Sequence, residues 1–352
     1  MKIHQERQTM AKRVTAADVA RRAGVSTATV DRVLNGRTAV SDKRAELVYQ
    51  AARELNYHGV PALRSRLPVR RKVVRIGLAL RRRHNSFYVA VEAAIRSAST
   101  KFEEADIDLT VVYQSNNSPR EAASIIRKLA ETCHAIAIMA PDHRVVSEAV
   151  IEVRSRNVFV FSFLSDFAVD ARQAYLGLDN RKAGRSAAWA AAHTAPRPGA
   201  LSIVVGNYSY LAQEMREAGF RAYIRDHETD FSVMDTVAAA ESEDDVRMAV
   251  GRLLDGHPDI VGIYVASGGF EGALEALRRR DKIGAVSLIC NELTPSSRQA
   301  LIDRSVAMVI ATPIDQLAEQ LVYEAAHAAT GKADDVSKPG PIPFSLYIAE
   351  NI

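Results

Sequence analysis

Strand-length apolar runs alternate with helical patterns from Val73 to the neighbourhood of Cys290, and that rhythm constrains the fold more than any other feature of the chain. VVRIGLAL precedes VAVEAAIRSASTKFEEA, IDLTVVYQ precedes PREAASIIRKLAETC, and AIAIMAP precedes VVSEAVIEVRSR; ALSIVVG, IVGIYVA and SLIC continue the series. Near-continuous apolar strands separated by helices are the pattern of a doubly wound parallel α/β architecture, in which the sheet is covered on both faces. The strands outnumber one comfortable sheet, so two α/β lobes are expected. VFVFSFL and AYLGLD meet with no helix between them, which puts the lobe boundary near residues 170–176. The expected first lobe is residues 73–172 plus 304–330, and the second 173–303 plus 331–352. Ligands bind outside the carboxyl ends of strands in open parallel sheets. Two such sheets facing each other enclose a cleft that hinged lobes can close.

Residues 1–58 have a different texture. TAADVARRA is a short amphipathic helix with Val19, Ala20 and Ala23 inward, and Gly24 suits a tight turn after it. VSTATVDRVLNG, Val25 to Gly36, then reads as a second helix: Ser26 suits the N-cap, and Val30, Val33 and Leu34 recur at helical spacing. Thr27, Ala28, Asp31 and Arg32 occupy the other face, all small or polar. Such a pair is a helix-turn-helix unit, whose second helix can enter the DNA major groove. A small three-helix bundle that never touches DNA has the same pattern. A third helix from Ser41, its N-cap, to Leu55 carries an apolar stripe of Leu47, Val48, Ala51, Ala52 and Leu55 and completes a three-helix headpiece. Residues 59–72, with two prolines and a run of basic residues, are a linker.

Charge separates the two readings. The chain's net charge of +4 divides unevenly: residues 1–72 hold 16 Lys+Arg against 6 Asp+Glu, a net of +10, and the remainder holds 30 against 36, a net of −6. Basic charge thus sits with the helix-turn-helix, where phosphate neutralisation needs it. The N-terminus has no apolar run of the kind a signal peptide uses, and no stretch approaches the ~18 apolar residues of a membrane helix, so a cytoplasmic protein is expected. Cys133 and Cys290 lie far apart inside apolar runs and are expected as buried thiols. No G-x-G-x-x-G follows the first strand, and no G-x-x-x-x-G-K, G-x-S-x-G or H-E-x-x-H occurs, so neither an enzyme nor a metal or cofactor site is expected.

VTAADVARRAGVSTATVDRVLNGR followed by VSDKRAELVYQAARELNY resembles the headpiece of the lactose-repressor (LacI) family of bacterial transcriptional regulators. The resemblance continues through YLGLDNRKAGRSAAWA and REAGFRAY to the terminal YIAENI. It implies a homodimer or tetramer whose paired headpieces read double-stranded operator DNA, regulated by a small molecule in a core similar to periplasmic sugar-binding proteins. By position, Thr15, Ser26 and Ser41 would hold phosphates, with Asn35 and Arg37 beside them, while Thr27, Ala28, Asp31 and Arg32 would face the bases; Thr29 belongs to the same expected DNA-binding set. Ala28 fits beside a thymine methyl, and Arg32 can be bidentate to guanine. Asp31 departs from the small hydroxyl residue common there; it either accepts from a cytosine amino group or favours the helix N-terminus by its charge. Tyr57 and Arg64 complete the expected DNA set. The linker departs from the family's Pro-Asn pair, and the minor-groove wedge falls on Arg66 or Leu67.

Sugar pockets pair an aromatic face with carboxylates and amides. Phe87 and Tyr88 after the first strand offer the aromatics, and Asp142, Asp166, Asn291 and Glu292 the acceptors. Arg216, in R-x-x-G-F, matches a position that contacts effector in the resembled family; Ser267, Gly268, Gly269 and Phe270 replace the polar residues usual there after their strand, and Thr312 stands where Gln is frequent, so the pocket has fewer amides. Each has a plainer reading: Phe87 as core, Asp142 as a helix cap, Arg216 as a surface helix residue. Asp179 and Asn180 are expected to brace the interlobe turn. The expected activity is repression released by a carbohydrate-like effector. The alternative is a periplasmic-type solute-binding protein without a transcriptional role.

Overall fold

Three helices surround a small apolar centre at the amino end: α1 (Ala16–Ala23), α2 (Thr27–Asn35) and α3 (Asp42–Glu54). The computed structural model describes residues 14–35, 40–60, 63, 71–206, 208–227, 230–331 and 339–352. It divides into two units, Met1–Arg71 and Lys72–Ile352. Thr15 and Asp18 form a reciprocal capping box at the start of α1, and Gly24 ends that helix at φ 65°, a left-handed conformation that favours glycine. Val19, Val30, Val48 and Ala52 are fully buried at the centre. Leu47, expected in the apolar stripe of α3, is instead 46% exposed. Ala45, Val48 and Ala52 form the buried face, and Leu47 is rotated about 100° from Val48 on that helix.

The first lobe of the core opens with β1 (Val73–Arg81), α4 (Ser86–Lys101), β2 (Asp106–Gln114) and α5 (Pro119–Leu129). It continues with β3 (Ala135–Ile138), α6 (Arg144–Arg154), β4 (Phe159–Phe163) and β5 (Ala174–Leu176). These strands make one parallel sheet in the order β2-β1-β3-β4-β5. Side chains alternate across it. Ile76, Leu78 and Leu80 join α4 on one face, while Ala79, Ile136 and Ile138 meet α5 and α6 on the other.

The second lobe holds α7 (Asn180–Thr194), β6 (Ala200–Val205), α8 (Leu211–Asp226), β7 (Ser232–Val233), β8 (Val237–Ala238) and α9 (Glu243–Gly256). Next come β9 (Ile260–Val265), α10 (Phe270–Arg278), β10 (Ser287–Asn291), α11 (Pro295–Ile302) and β11 (Met308–Ala311). Its sheet runs β12-β11-β10-β9-β6-β7, with β8 (above) also on β6 and β12 (Ser345–Tyr347) antiparallel at the edge. Helix α12 (Ile314–Thr330) returns to cover the first sheet through Leu317, Leu321 and Val322.

The chain therefore passes between lobes three times, after β5, after β11 and before β12, and a bridge between Leu178 and Ile342 joins two of the passages. Two expected boundaries shift. Strand β5 pairs with β4, so the first lobe runs to Leu176 rather than 172. Residues 304–312 belong to the second lobe, because β11 pairs with β10. Both shifts are decided by strand pairing, which an apolar run does not announce.

Candidate functional site

In the headpiece, the Ser26 hydroxyl accepts from the Thr29 N–H at 3.2 Å and lies 2.9 Å from the Thr29 hydroxyl, capping α2. Thr27, Ala28, Asp31 and Arg32 are exposed, so the leading turns of α2 present a surface of small residues and one guanidinium. Asn35 donates its amide to Asp31 at 2.7 Å, which commits both to each other along the helix. Thr15 donates its hydroxyl to Asp18 at 2.7 Å. Ser41 stands at the N-cap of α3 without a side-chain capping bond. Tyr57 departs from expectation: it is 8% exposed, buried in the headpiece centre, and a Cβ on Gly59 would lie 2.6 Å from its ring. Its ring is packing, not a DNA-facing surface. Arg37, Arg64, Arg66 and Leu67 lie outside the described residues.

In the core, the carboxyl ends of both sheets face one cavity of about 120 Å³, a space on the scale of one small molecule. Phe87, Tyr88, Met139 and Leu164 line it from the first lobe, and Phe270 from the second. Phe87 and Phe270 are 9% and 5% exposed. Polar groups converge on the same space: Arg82 and Asn85 from one lobe, and Gln213, Arg216, Glu241, Glu271, Ser267, Glu292 and Thr312 from the other side.

Backbone strain gathers here. Three non-glycine residues with left-handed φ line the cavity, Arg82 (45°), Leu164 (63°) and Glu292 (67°), each just past the end of a strand. Such conformations persist only where surrounding bonds hold them. Glu292 is held by its N–H donating to the Ile310 carbonyl at 2.8 Å, and by Thr312, whose N–H and hydroxyl each donate to one carboxylate oxygen at 2.9 Å. Burial pushes the Glu292 carboxyl above the ordinary carboxylate range, opposed by the nearby Arg216. Burial likewise raises Glu271 and Tyr88, whose hydroxyl donates to Met139 Sδ at 3.4 Å.

Arg216 joins the cavity to the lobe crossing. Its Nε donates to Asn180 Oδ1 at 2.8 Å and its Nη1 to the Ala266 carbonyl at 2.9 Å. Asn180 in turn donates to the Tyr175 hydroxyl at 2.9 Å and to the Leu178 carbonyl at 3.2 Å, and Asp179 caps α7. The backbone of Arg216 is fixed by α7: a Cβ on Gly184 would lie 1.9 Å from the Arg216 carbonyl oxygen, and one on Gly219 would lie 2.0 Å from that of Arg181. Two helices approach this closely only where both contact residues lack side chains.

A second set of bonds ties the lobes on the side away from the crossings. Arg81 at the end of β1 pairs with Glu241, past β8, at 3.1 Å, with side-chain exposures of 4% and 8%. Arg82 lies 3.7 Å from the same carboxylate and donates to the Glu241 carbonyl. Gln213 donates to Glu241 Oε1 at 2.7 Å. The Arg81 guanidinium also sits over the Tyr210 ring, 4.9 Å from its centroid. Removing one partner of a buried ion pair typically costs about 3–5 kcal/mol, because the other is left uncompensated.

Of the residues expected in the cleft, Phe87, Tyr88, Arg216, Ser267, Asn291, Glu292 and Thr312 line the cavity together. Asp142 and Asp166 do not. Asp166 is held inside its own lobe by Arg172, at 2.7 Å through one of its two bonds, and by the Ser162 hydroxyl at 2.6 Å. Asp142 is exposed and accepts from the Ala168 N–H at 3.2 Å. Glu241 and Gln213 went unread; Glu241 follows a two-residue strand too short to signal a strand end.

Residues 76–333 match the family described as "Periplasmic binding protein domain", and residues 15–59 match "Bacterial regulatory proteins, lacI family". The HTH-type transcriptional regulator MalR of Streptococcus pneumoniae is 43% identical over 75 residues, 21% of this chain and 22% of that protein. The ribose operon repressor of Haemophilus influenzae is 38% identical over 87 residues, 25% of this chain and 26% of that protein. The chain thus spans about a quarter or less of the length of these curated relatives. Among solved structures, the glucose-galactose binding protein GanP of Geobacillus stearothermophilus superposes with a TM-score of 0.73 at 18% identity, over 80% of this chain and 99% of that one. A solute binding protein of Actinobacillus succinogenes with bound D-allose gives 0.72 at 16%, over 79% and 98%. At that identity the likeness is one of fold. No helix among the described residues is long and apolar enough to cross a membrane.

Proposed function

From a chain that belongs to the periplasmic binding protein domain family and carries a lacI-family headpiece, we propose a transcriptional repressor whose hold on operator DNA is set by a small polyhydroxylated effector in the interlobe cavity. The observation that carries this reading is the pairing, in one chain, of an exposed, capped α2 surface with an enclosed aromatic and polar cavity. The leading turns of α2, with Ala28 and Arg32 outward, suit base edges in the major groove, and Thr15 and Ser41 suit flanking phosphates. The protein acts in the cytoplasm as a homodimer, its two headpieces matching the halves of a pseudo-palindromic site. Effector bound between the lobes changes their closure and so releases the operator, a population shift rather than a chemical step.

Two measurements test it. Affinity for the protein's own promoter duplex is expected to exceed that for random duplex and to fall steeply with salt, as phosphate neutralisation requires. Equal affinity for both would sink the reading in favour of a solute-binding protein without a transcriptional role. Arg32→Ala is expected to cost ~1–3 kcal/mol and relax preference at one base pair. A loss spread evenly over all sequences would make Arg32 a phosphate anchor instead.

A further inference from the structure

The charges around the cavity are settled among themselves. Arg82 and Arg216 line the cavity with Glu241, Glu271 and Glu292, and Arg81 stands behind Glu241 as its buried partner. Each guanidinium bonds to protein acceptors, Arg81 and Arg82 to Glu241 and Arg216 to Asn180 and the Ala266 carbonyl, with Arg81 Nη1 left buried and without a hydrogen bond. Two of the carboxylates are not matched in the same way. Glu271 and Glu292 have no ion-pair partner within 4.0 Å among the described residues, although both line the cavity. Their carboxyls are raised by burial, at Glu292 against the opposing charge of Arg216.

An anionic ligand entering this space would approach two carboxylates that have no ion-pair partner, while the guanidiniums that line it are already bonded to protein acceptors, in a region of low dielectric where like charges repel strongly. A hydroxyl meets no such penalty. It can donate to Glu271 or Glu292 and accept from the donors that remain on Arg216. We propose that the cavity selects an uncharged polyol and rejects its carboxylated and phosphorylated derivatives, with Glu271 and Glu292 as the discriminating groups. This inference rests on the effector reading above and narrows it.

The test uses the full chain and matched series: a hexose, its aldonate and its phosphate ester, and the same three forms of a pentose and of a cyclitol. Calorimetry gives affinity, and operator release gives response. The neutral member of whichever series binds is expected to bind about 10-fold or more tightly than its anionic forms. Glu271→Gln and Glu292→Gln are each expected to narrow that ratio, which a merely structural loss would not move. An anionic form binding as well as its neutral parent, or a ratio unchanged in both variants, overturns the proposal and leaves the effector reading standing. Should no form of any charge bind or alter operator affinity, both fall together.

Discussion

A Gly184→Val chain is expected to lose the close seating of α7 on α8, and its effector response with it. The added Cβ would fall 1.9 Å from the Arg216 carbonyl oxygen, a backbone atom within a helix that no rotamer change can move aside. Overpacking a core costs about 1–3 kcal/mol when side chains can shift. Here whole helices must separate, so the upper end of that range is the expectation, or roughly 5–10 °C in the thermal midpoint of the core. Arg216 is carried on the displaced turn, so its bonds to Asn180 and Ala266 lengthen as well. Gly256→Ala is the control: that glycine ends α9, and a Cβ there meets nothing within 4 Å. Its midpoint is expected to stay level or rise slightly. Equal midpoints for Gly184→Val and Gly256→Ala would show that the two helices do not depend on their glycine contact.

Arg216→Met is the second large effect. The substitution keeps much of the stem volume but removes a guanidinium bonded at once to Asn180, beside the lobe crossing, and to the Ala266 carbonyl at the cavity wall. Hydrogen bonds to a charged group are worth about 1.5–3 kcal/mol each, and the partners left behind are buried. Effector affinity is expected to fall about 100-fold or more, while operator affinity without effector stays at the parental level. Operator binding measured across an effector titration separates the outcomes. A variant that still releases DNA at the parental effector concentration would remove Arg216 from the binding machinery.

What could be read without coordinates follows from how local each signal is. The two-lobed architecture was legible because buried parallel strands leave long apolar runs, and β1 and β9 are such runs. The rule that ligands meet strand ends led to Ser267, Asn291, Glu292 and Thr312, and the resemblance to the lacI family, carried by R-x-x-G-F, led to Arg216. The same rule led to Asp142 and Asp166, which sit in suitable loops but have their carboxylates engaged elsewhere, Asp166 by Arg172 six residues on. Spacing gives the loop; the direction of a side chain depends on partners that are distant or yet to fold. Glu241 was invisible for another reason. β7 and β8 are two residues each and pair with β6 at different heights, so no periodic run marks where they end. The assignment of β11 to the second sheet rests on the pairing of Met308 with Ile289, a long-range choice that MVIA by itself does not make.

The tie between Arg81 and Glu241 lies across the cavity from the three strands of chain that join the lobes, because β1 and β8 sit toward the sheet edges opposite β5 and β11. It has a temporal meaning. Parting the lobes on that side breaks this buried pair, so the rate of such an opening is tied to rupture of the protein's own contact.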